Sequence, residues 1–246
     1  MNRFLPPPAS AHAPALDAML AHVHWVIGAL FAGWALYYLY LLFRYRSGRH
    51  PNAQHRGTRG RMAILVTAGI VVAEAVMLVG SALPLWRERT GVDHAPADAV
   101  VLRVIAQQFF WNVHYPGADG QFGGTQPSLV TTENAIGLDR SSPHGSDDLL
   151  LLNELHVPIG RPVVIDLSSL DVVHSFGIPA MRVKQDATPG LRAPVWFTPT
   201  ATGRFDIACS QLCGAGHYRM RGTLVVESDE AFRKFLADET AMQVRR

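Results

Sequence analysis

Cysteine is nearly absent from this sequence: its 246 residues contain two, which excludes a disulfide-rich scaffold and a zinc-ribbon array. Charge is also scarce, at 17% of residues against 48% hydrophobic, so a disordered or low-complexity chain is excluded. The formal charge of +2 comes without a basic cluster on any nucleic-acid motif, and no nucleic-acid partner is expected. No CxxCH occurs, so no heme c is expected on this chain. No internal repeat is visible. The chain is uneven, membrane-like up to residue 87 and reading as a soluble domain beyond it.

Residues 18–43 hold no Lys, Arg, Asp or Glu. As a helix rising about 1.5 Å per residue, this run exceeds a hydrocarbon core of roughly 30 Å. A second apolar stretch, 62–86, is interrupted by Glu74, so spans are predicted at 20–43 and 62–86. The first run leads into arginines rather than a small-residue cleavage site, which sets it apart from a signal peptide. The connector 44–61 carries six arginines and no acid, and the positive-inside rule puts it in the cytoplasm. Both termini then lie on the far side, with residues 88–246 as an exported domain. That domain holds 18 acidic and 14 basic residues, a net charge of −4, which suits a cationic partner.

Beyond the hairpin, alternating apolar and β-branched runs recur at 99–115, 162–167, 194–199, 203–208 and 223–228. That pattern predicts an all-β sandwich or barrel. Residues 116–148 are rich in Gly, Pro, Ser, Thr and Asn and read as a long irregular insertion. A C-terminal helix is expected over 229–243, with Ser228 as N-cap, Asp229 and Glu230 at the positive end of the helix dipole, and Phe232, Phe235 and Leu236 on one apolar side.

The stretch CSQLCGAGHYRM (209–220) contains both cysteines, Cys209 and Cys213, followed by His217 and Met220. Upstream, DVVHSFGIP (171–179) offers His174, expected on a loop after a strand. Thiolate, imidazole and thioether form a soft ligand set that favours copper over hard cations. Gly214 and Gly216 give the loop freedom to fold around a metal. The residues alone leave alternatives open. A C-x3-C pair outside the cytoplasm can be a disulfide, though that ignores His217 and Met220. Zinc accepts two Cys and two His but has no use for Met220. A mononuclear blue-copper site needs one cysteine fewer. Two cysteines bridging two coppers use every residue of the cluster.

With DVVHSFGIPAMRVKQDATPG (171–190) followed by CSQLCGAGHYRM, nearly the whole chain resembles subunit II of the heme-copper cytochrome c oxidases. The resemblance implies a two-helix transmembrane hairpin followed by an all-β cupredoxin-like domain with a binuclear copper A centre. It implies that Cys209 and Cys213 bridge two copper ions and that His174 and His217 each bind one of them. Met220 and the backbone carbonyl of Gln211 become the axial ligands. The implied activity is cytochrome-c oxidase: electrons come from cytochrome c and pass to heme in subunit I, where oxygen is reduced to water with proton pumping. Implied partners are subunit I, subunit III, the cytochrome c donor and membrane lipid. The expected location is the bacterial inner membrane, with the termini and copper domain on the periplasmic side.

Three departures from the family pattern bear on function. Gln211 stands where the family has Glu, whose carboxylate commonly ligates magnesium at the subunit I interface. A neutral amide is a poorer ligand for that ion. Phe109 stands where an aromatic segment related to 107–115 carries Trp, so Phe109 and Trp111 are both candidates for the electron path, against a reading as strand core. Glu74 is an ionisable group inside a span and a functional candidate on that ground. The family's glutamate in this helix aligns nearer Thr67, so a proton path through Glu74 competes with a buried hydrogen bond to subunit I. His22, His24, His50 and His55 are expected to be interfacial or solvated.

Other classes fit less well. A membrane-anchored copper chaperone or thiol oxidoreductase needs a βαβ pattern around its cysteines. A quinol-oxidase relative lacks the copper ligands, and nitrous oxide reductase carries a large β-propeller for which this chain has no room.

Overall fold

The computed structural model describes residues 5–49, 60–89 and 95–244. The chain forms two units, Ala15–Glu88 and a β unit made of Met1–Pro14 with Arg89–Arg246. The N-terminal segment therefore belongs with the β unit, which corrects the division at residue 87 drawn from hydropathy. His50 and His55 lie outside the described residues.

The helical unit contains α1 (Ala13–Arg44), α2 (Arg61–Met77), a π-helical turn (Leu78–Ala82) and α3 (Leu83–Arg89). Two of its helical stretches, Ala13–Arg44 and Arg61–Arg87, are long and apolar enough to span a membrane, and their apolar windows are unburied within the chain. The π turn has a local cause. Pro84 has no N–H to give and crowds the carbonyl four residues back, so the ladder slips by one residue ahead of it.

The β unit is a sandwich of two five-stranded sheets. One, in the order β3-β2-β1-β5-β8, uses β1 (Val100–Gln107), β2 (Phe110–Tyr115), β3 (Leu149–Leu152), β5 (Val163–Ser169) and β8 (Ala193–Phe197). The other, in the order β4-β10-β9-β6-β7, uses β4 (Glu154–Pro158), β6 (His174–Ile178), β7 (Val183–Ala187), β9 (Gly203–Cys209) and β10 (Arg221–Glu227). Alternation along β1 sends Leu102, Val104 and Ala106 into the core between the sheets, as a period of two requires. Ile105 points to the opposite face, where Ile136 and Leu138 of the insertion cover it. The insertion is thus a second apolar layer over one sheet.

That layer is pinned at Asp148. Its buried carboxylate accepts hydrogen bonds from His114 Nε2 at 2.6 Å and from the amides of Gly117 and Gly123. Helix α4 (Asp229–Val244) follows β10. The Ser228 hydroxyl accepts from the Ala231 amide, and the ring of Phe235 stacks on His156 at 3.6 Å. Phe232, Phe235 and Leu236 face the core as their spacing requires.

The N-terminal segment adds an unexpected strap. The Ala9 amide donates to Ala180, Ala11 to Thr198, and Thr200 back to Ala9. The Ser10 hydroxyl donates to the Met181 carbonyl at 2.7 Å in a buried site.

Strand register gathers the loops. β1 and β5 run parallel, with Ala106 opposite Ser169, while His174 pairs with Ala187 and Phe176 with Cys209. The turn at 108–109 and the connections 170–173, 188–192 and 210–220 therefore share one end of the sandwich. The insertion and the start of α4 leave from the other end.

Candidate metal centre

His174 is the first residue of β6 rather than part of a preceding loop, and it is fully buried. The strand holds it while the β9–β10 connection wraps around it. That connection opens and closes on one pair: the Cys209 amide donates to the Met220 carbonyl at 3.2 Å. A 3-10 turn, His217–Arg219, then brings His217 back toward Cys213. Gly214 has a φ of +134°, in the region that favours glycine.

The sulfurs of Cys209 and Cys213 are 3.8 Å apart, and both thiols are free. That distance is far beyond a disulfide bond of about 2.05 Å. Two metal–sulfur bonds of roughly 2.3 Å each can span it. His174 Nδ1 lies 3.9 Å from Cys209 Sγ and 3.2 Å from Met220 Sδ. His217 Nδ1 lies 3.6 Å from Cys213 Sγ, and Met220 Sδ is 3.8 Å from the same sulfur. The Cys209 thiol donates to the Gln211 carbonyl at 3.2 Å. Among the described residues, His174, Cys209 and Cys213 form a group of potential metal-binding atoms within 4.8 Å of one another. His217 stands to one side of that group, against Cys213, so each imidazole has its own sulfur neighbour.

The donor set fits copper: two sulfurs that become thiolates, two imidazoles and a thioether form a soft cage. Burial, with Cys209 alongside, pushes the Cys213 thiol up to about 11. Without a cation the Cys213 thiol resists ionisation, and a bound cation would bring it down.

Two residues that sequence reasoning left out organise the site. His174 Nε2 donates to Asp171 Oδ1 at 2.8 Å, which leaves the Nδ1 lone pair facing the sulfurs. Asp171 also accepts from the Gln108 and Val172 amides, both at 2.7 Å. Burial works to raise the Asp171 carboxyl, but these hydrogen bonds outweigh it and hold the group below its ordinary value. Gln108 also donates from Nε2 to the Cys213 carbonyl at 2.6 Å, so one residue ties the two ligand loops together. The sequence signal for Asp171 was its position three residues before His174. Gln108 gave none, because its partners lie 63 and 105 residues away.

Phe109 and Trp111 have different surroundings. Phe109 is partly buried and lies over the ligand loop, where a Cβ added at Gly216 would come within 2.4 Å of its ring. Trp111 is wholly buried, edge-on to His174 with ring centres 6.1 Å apart and to Phe176 at 5.2 Å. Glu74 and Thr67 lie on α2 in the helical unit. His22 and His24 lie on α1.

Residues 100–228 match the family model described as cytochrome c oxidase subunit II, periplasmic domain. The alternative cytochrome c oxidase subunit 2 of Bradyrhizobium diazoefficiens is 34% identical over 225 residues, covering 91% of this chain and 80% of the relative. Cytochrome c oxidase subunit 2 of Cereibacter sphaeroides is 26% identical over 249 residues, covering 94% of this chain and 80% of the relative. The solved periplasmic domain of subunit II of cytochrome oxidase from Bradyrhizobium japonicum aligns with a TM-score of 0.45 at 28% identity, covering 60% of this chain and 98% of that one. The chain belongs to the cytochrome c oxidase subunit II family, whose members are components of respiratory heme-copper oxidases and bind copper A.

Proposed function

We propose that this chain receives electrons from a cytochrome c at a binuclear copper centre held by Cys209, Cys213, His174, His217, Met220 and the Gln211 carbonyl. From there they pass to heme in subunit I, where oxygen is reduced to water with proton pumping. The observation that carries this reading is the pair of free sulfurs 3.8 Å apart, each with an imidazole nitrogen within 3.9 Å. A thiolate-bridged copper pair supplies one-electron transfer with little change in its bond lengths.

The residues of the chain make that exchange fast by staying still. Asp171 keeps the His174 ring in one tautomer and orientation, as outer partners of metal-binding histidines generally do. Trp111 and Phe176 pack on its inner side and exclude water. Phe109, on the outer side of the loop, is the better candidate for first contact with an incoming electron, with Trp111 behind it. The Gln211 side chain is an amide at an exposed position, so no magnesium is assigned to it. Glu74 is proposed as a polar group at the contact with subunit I, with proton uptake as its alternative role.

The membrane topology follows the same logic. Residues 5–12 pack on the β unit through the strap, which supports both lying on one side of the membrane, opposite the arginine connector. A bacterial inner membrane with this side in the periplasm, and subunit III as a neighbour, complete the proposal.

The test is the spectrum of the copper-loaded protein. Two coppers per chain and a seven-line hyperfine pattern in electron paramagnetic resonance are expected, because one electron is shared by two spin-3/2 nuclei. One copper per chain, or a four-line pattern, refutes the binuclear reading. Cys213→Ser should abolish the shared state, while Gln211→Ala should preserve it because only the main-chain carbonyl is used.

A further inference from the structure

The chain passes from one sheet of the sandwich to the other at a single residue. Asn153 stands between β3, which ends at Leu152, and β4, which begins at Glu154, and these strands belong to different sheets. Its φ is +59°, a left-handed conformation that asparagine adopts more readily than most side chains. From that corner it grips Trp111 of β2 at two points. The Asn153 amide donates to the Trp111 carbonyl, and the Trp111 amide donates to Asn153 Oδ1, both at 2.8 Å. The Asn153 carbonyl accepts from the Thr223 amide at 2.8 Å, which ties the same corner to β10. The Trp111 ring has no such hold of its own. It is wholly buried, and among the described residues its Nε1–H has no hydrogen-bond partner. The ring therefore takes its place from its backbone and from the shape around it. Phe176 meets it nearly perpendicular, at 87°. Gly222 leaves room for its edge, since a Cβ there would come within 3.2 Å of Trp111 Cδ1 and 3.0 Å of the Asn153 carbonyl oxygen. The same ring lies against the His174 imidazole.

We propose that Asn153 is a positioning residue for the copper centre: by fixing the Trp111 backbone it seats the indole against His174 and keeps water from that imidazole. The proposal rests on the proposed function and adds a residue that acts only through Trp111. Without Oδ1 the Trp111 amide loses its acceptor, and a buried donor left without one shifts or draws in water. Either response opens the packing beside one metal-binding imidazole. The apolar shell around a metal site controls solvent access, and with it the potential of the metal. A centre that exchanges electrons with little rearrangement depends on that shell staying dry and fixed. Asp171 secures the Nε2 side of His174, and Asn153, through Trp111, secures its packing.

The experiment uses the assembled, copper-loaded oxidase carrying Asn153→Gly or Asn153→Asp. Glycine keeps the left-handed corner and removes Oδ1, whereas aspartate keeps an accepting oxygen in the same place. Electron spin-echo spectra after exchange into heavy water read the deuterium close to the copper imidazoles. Laser-flash injection of electrons reads the rate at which the copper pair exchanges them. Asn153→Gly should deepen the deuterium modulation and slow electron exchange by about tenfold. Asn153→Asp should restore both readings to within about twofold of the parent oxidase. Should the glycine variant not assemble, Asn153→Ser takes its place with the same expected readings, because its hydroxyl stops one bond short of the Trp111 amide. The proposal is overturned if either reading in the shortened variant equals the parent's; slowed exchange with unchanged modulation is what a merely loosened fold would give. It is also overturned if Asn153→Asp is impaired as far as the shortened variant, since the accepting oxygen would then not be what matters. A parent oxidase without the seven-line spectrum fails the proposed function itself, a result read before any variant is compared.

Discussion

Replacing Asp171 by Asn alters one atom and removes one charge, yet the geometry gives the amide no comfortable orientation. The carboxylate accepts from His174 Nε2 and Val172 on one oxygen and from Gln108 on the other. An amide has one accepting oxygen and a donating NH2. With the oxygen toward His174, the NH2 faces the Gln108 amide, and two donors oppose each other. Turned around, the NH2 faces His174, whose proton must then move to Nδ1, the nitrogen that faces the sulfurs. Leaving one such group unpaired costs about 1–3 kcal/mol in a buried setting. The Asp171 side chain is 27% exposed, so water softens that cost toward the lower end. Loss of an outer partner of a metal-binding histidine typically weakens metal affinity by about 10- to 100-fold, or roughly 1.4 to 2.7 kcal/mol. Copper competition against a chelator, with the paramagnetic spectrum recorded alongside, measures this directly. Affinity and hyperfine pattern both equal to those of the parent protein would refute the role assigned to Asp171.

Gly216→Ala should displace the Phe109 ring, since the new methyl would lie 2.4 Å from it; thermal stability should drop by about 1–3 kcal/mol, and Phe109→Ala in the same chain should recover part of the loss. Ser10→Ala removes the donor to the buried Met181 carbonyl and should lower stability by about 1–3 kcal/mol, with freer proteolysis of the N-terminal strap as a second readout. Burial holds His114 below the ordinary histidine value, against the pull of its bond to Asp148. The unfolded chain therefore takes up a proton there that the folded chain refuses, so stability falls as pH drops below about 6.5. The melting temperature between pH 8 and pH 5.5 should decline less steeply in His114→Gln. Copper loading of the metal-free protein should release protons at neutral pH, because the Cys213 thiol is pushed up to about 11 without a cation; unbuffered titration detects them.

The features legible in the amino-acid order were those carried by local pattern. Hydropathy located both long apolar helices, and their unburied surfaces in the chain are what the missing charges implied. Ser228 announced α4 through its cap. The ligand loop was legible because four of its donors fall within residues 209–220, a span short enough for one turn to close. Strands β3, β4, β6 and β7, each of four or five residues, were not read from pattern, although β8, equally short, was.

Long-range pairing decided the rest. The sequence by itself determined which side chains could hold a soft metal and which stretches could cross a membrane, because those properties belong to residue chemistry and to runs of apolar length. Only the tertiary structure decided that His174 meets Cys209, 35 residues away, that Asp171 and Gln108 lock the site in place, and that residues 9–11 fold back onto Ala180, Met181 and residues 198–200. Backbone hydrogen bonds between distant strands set those meetings, and their register depends on how two sheets bury a common core rather than on any neighbouring residue.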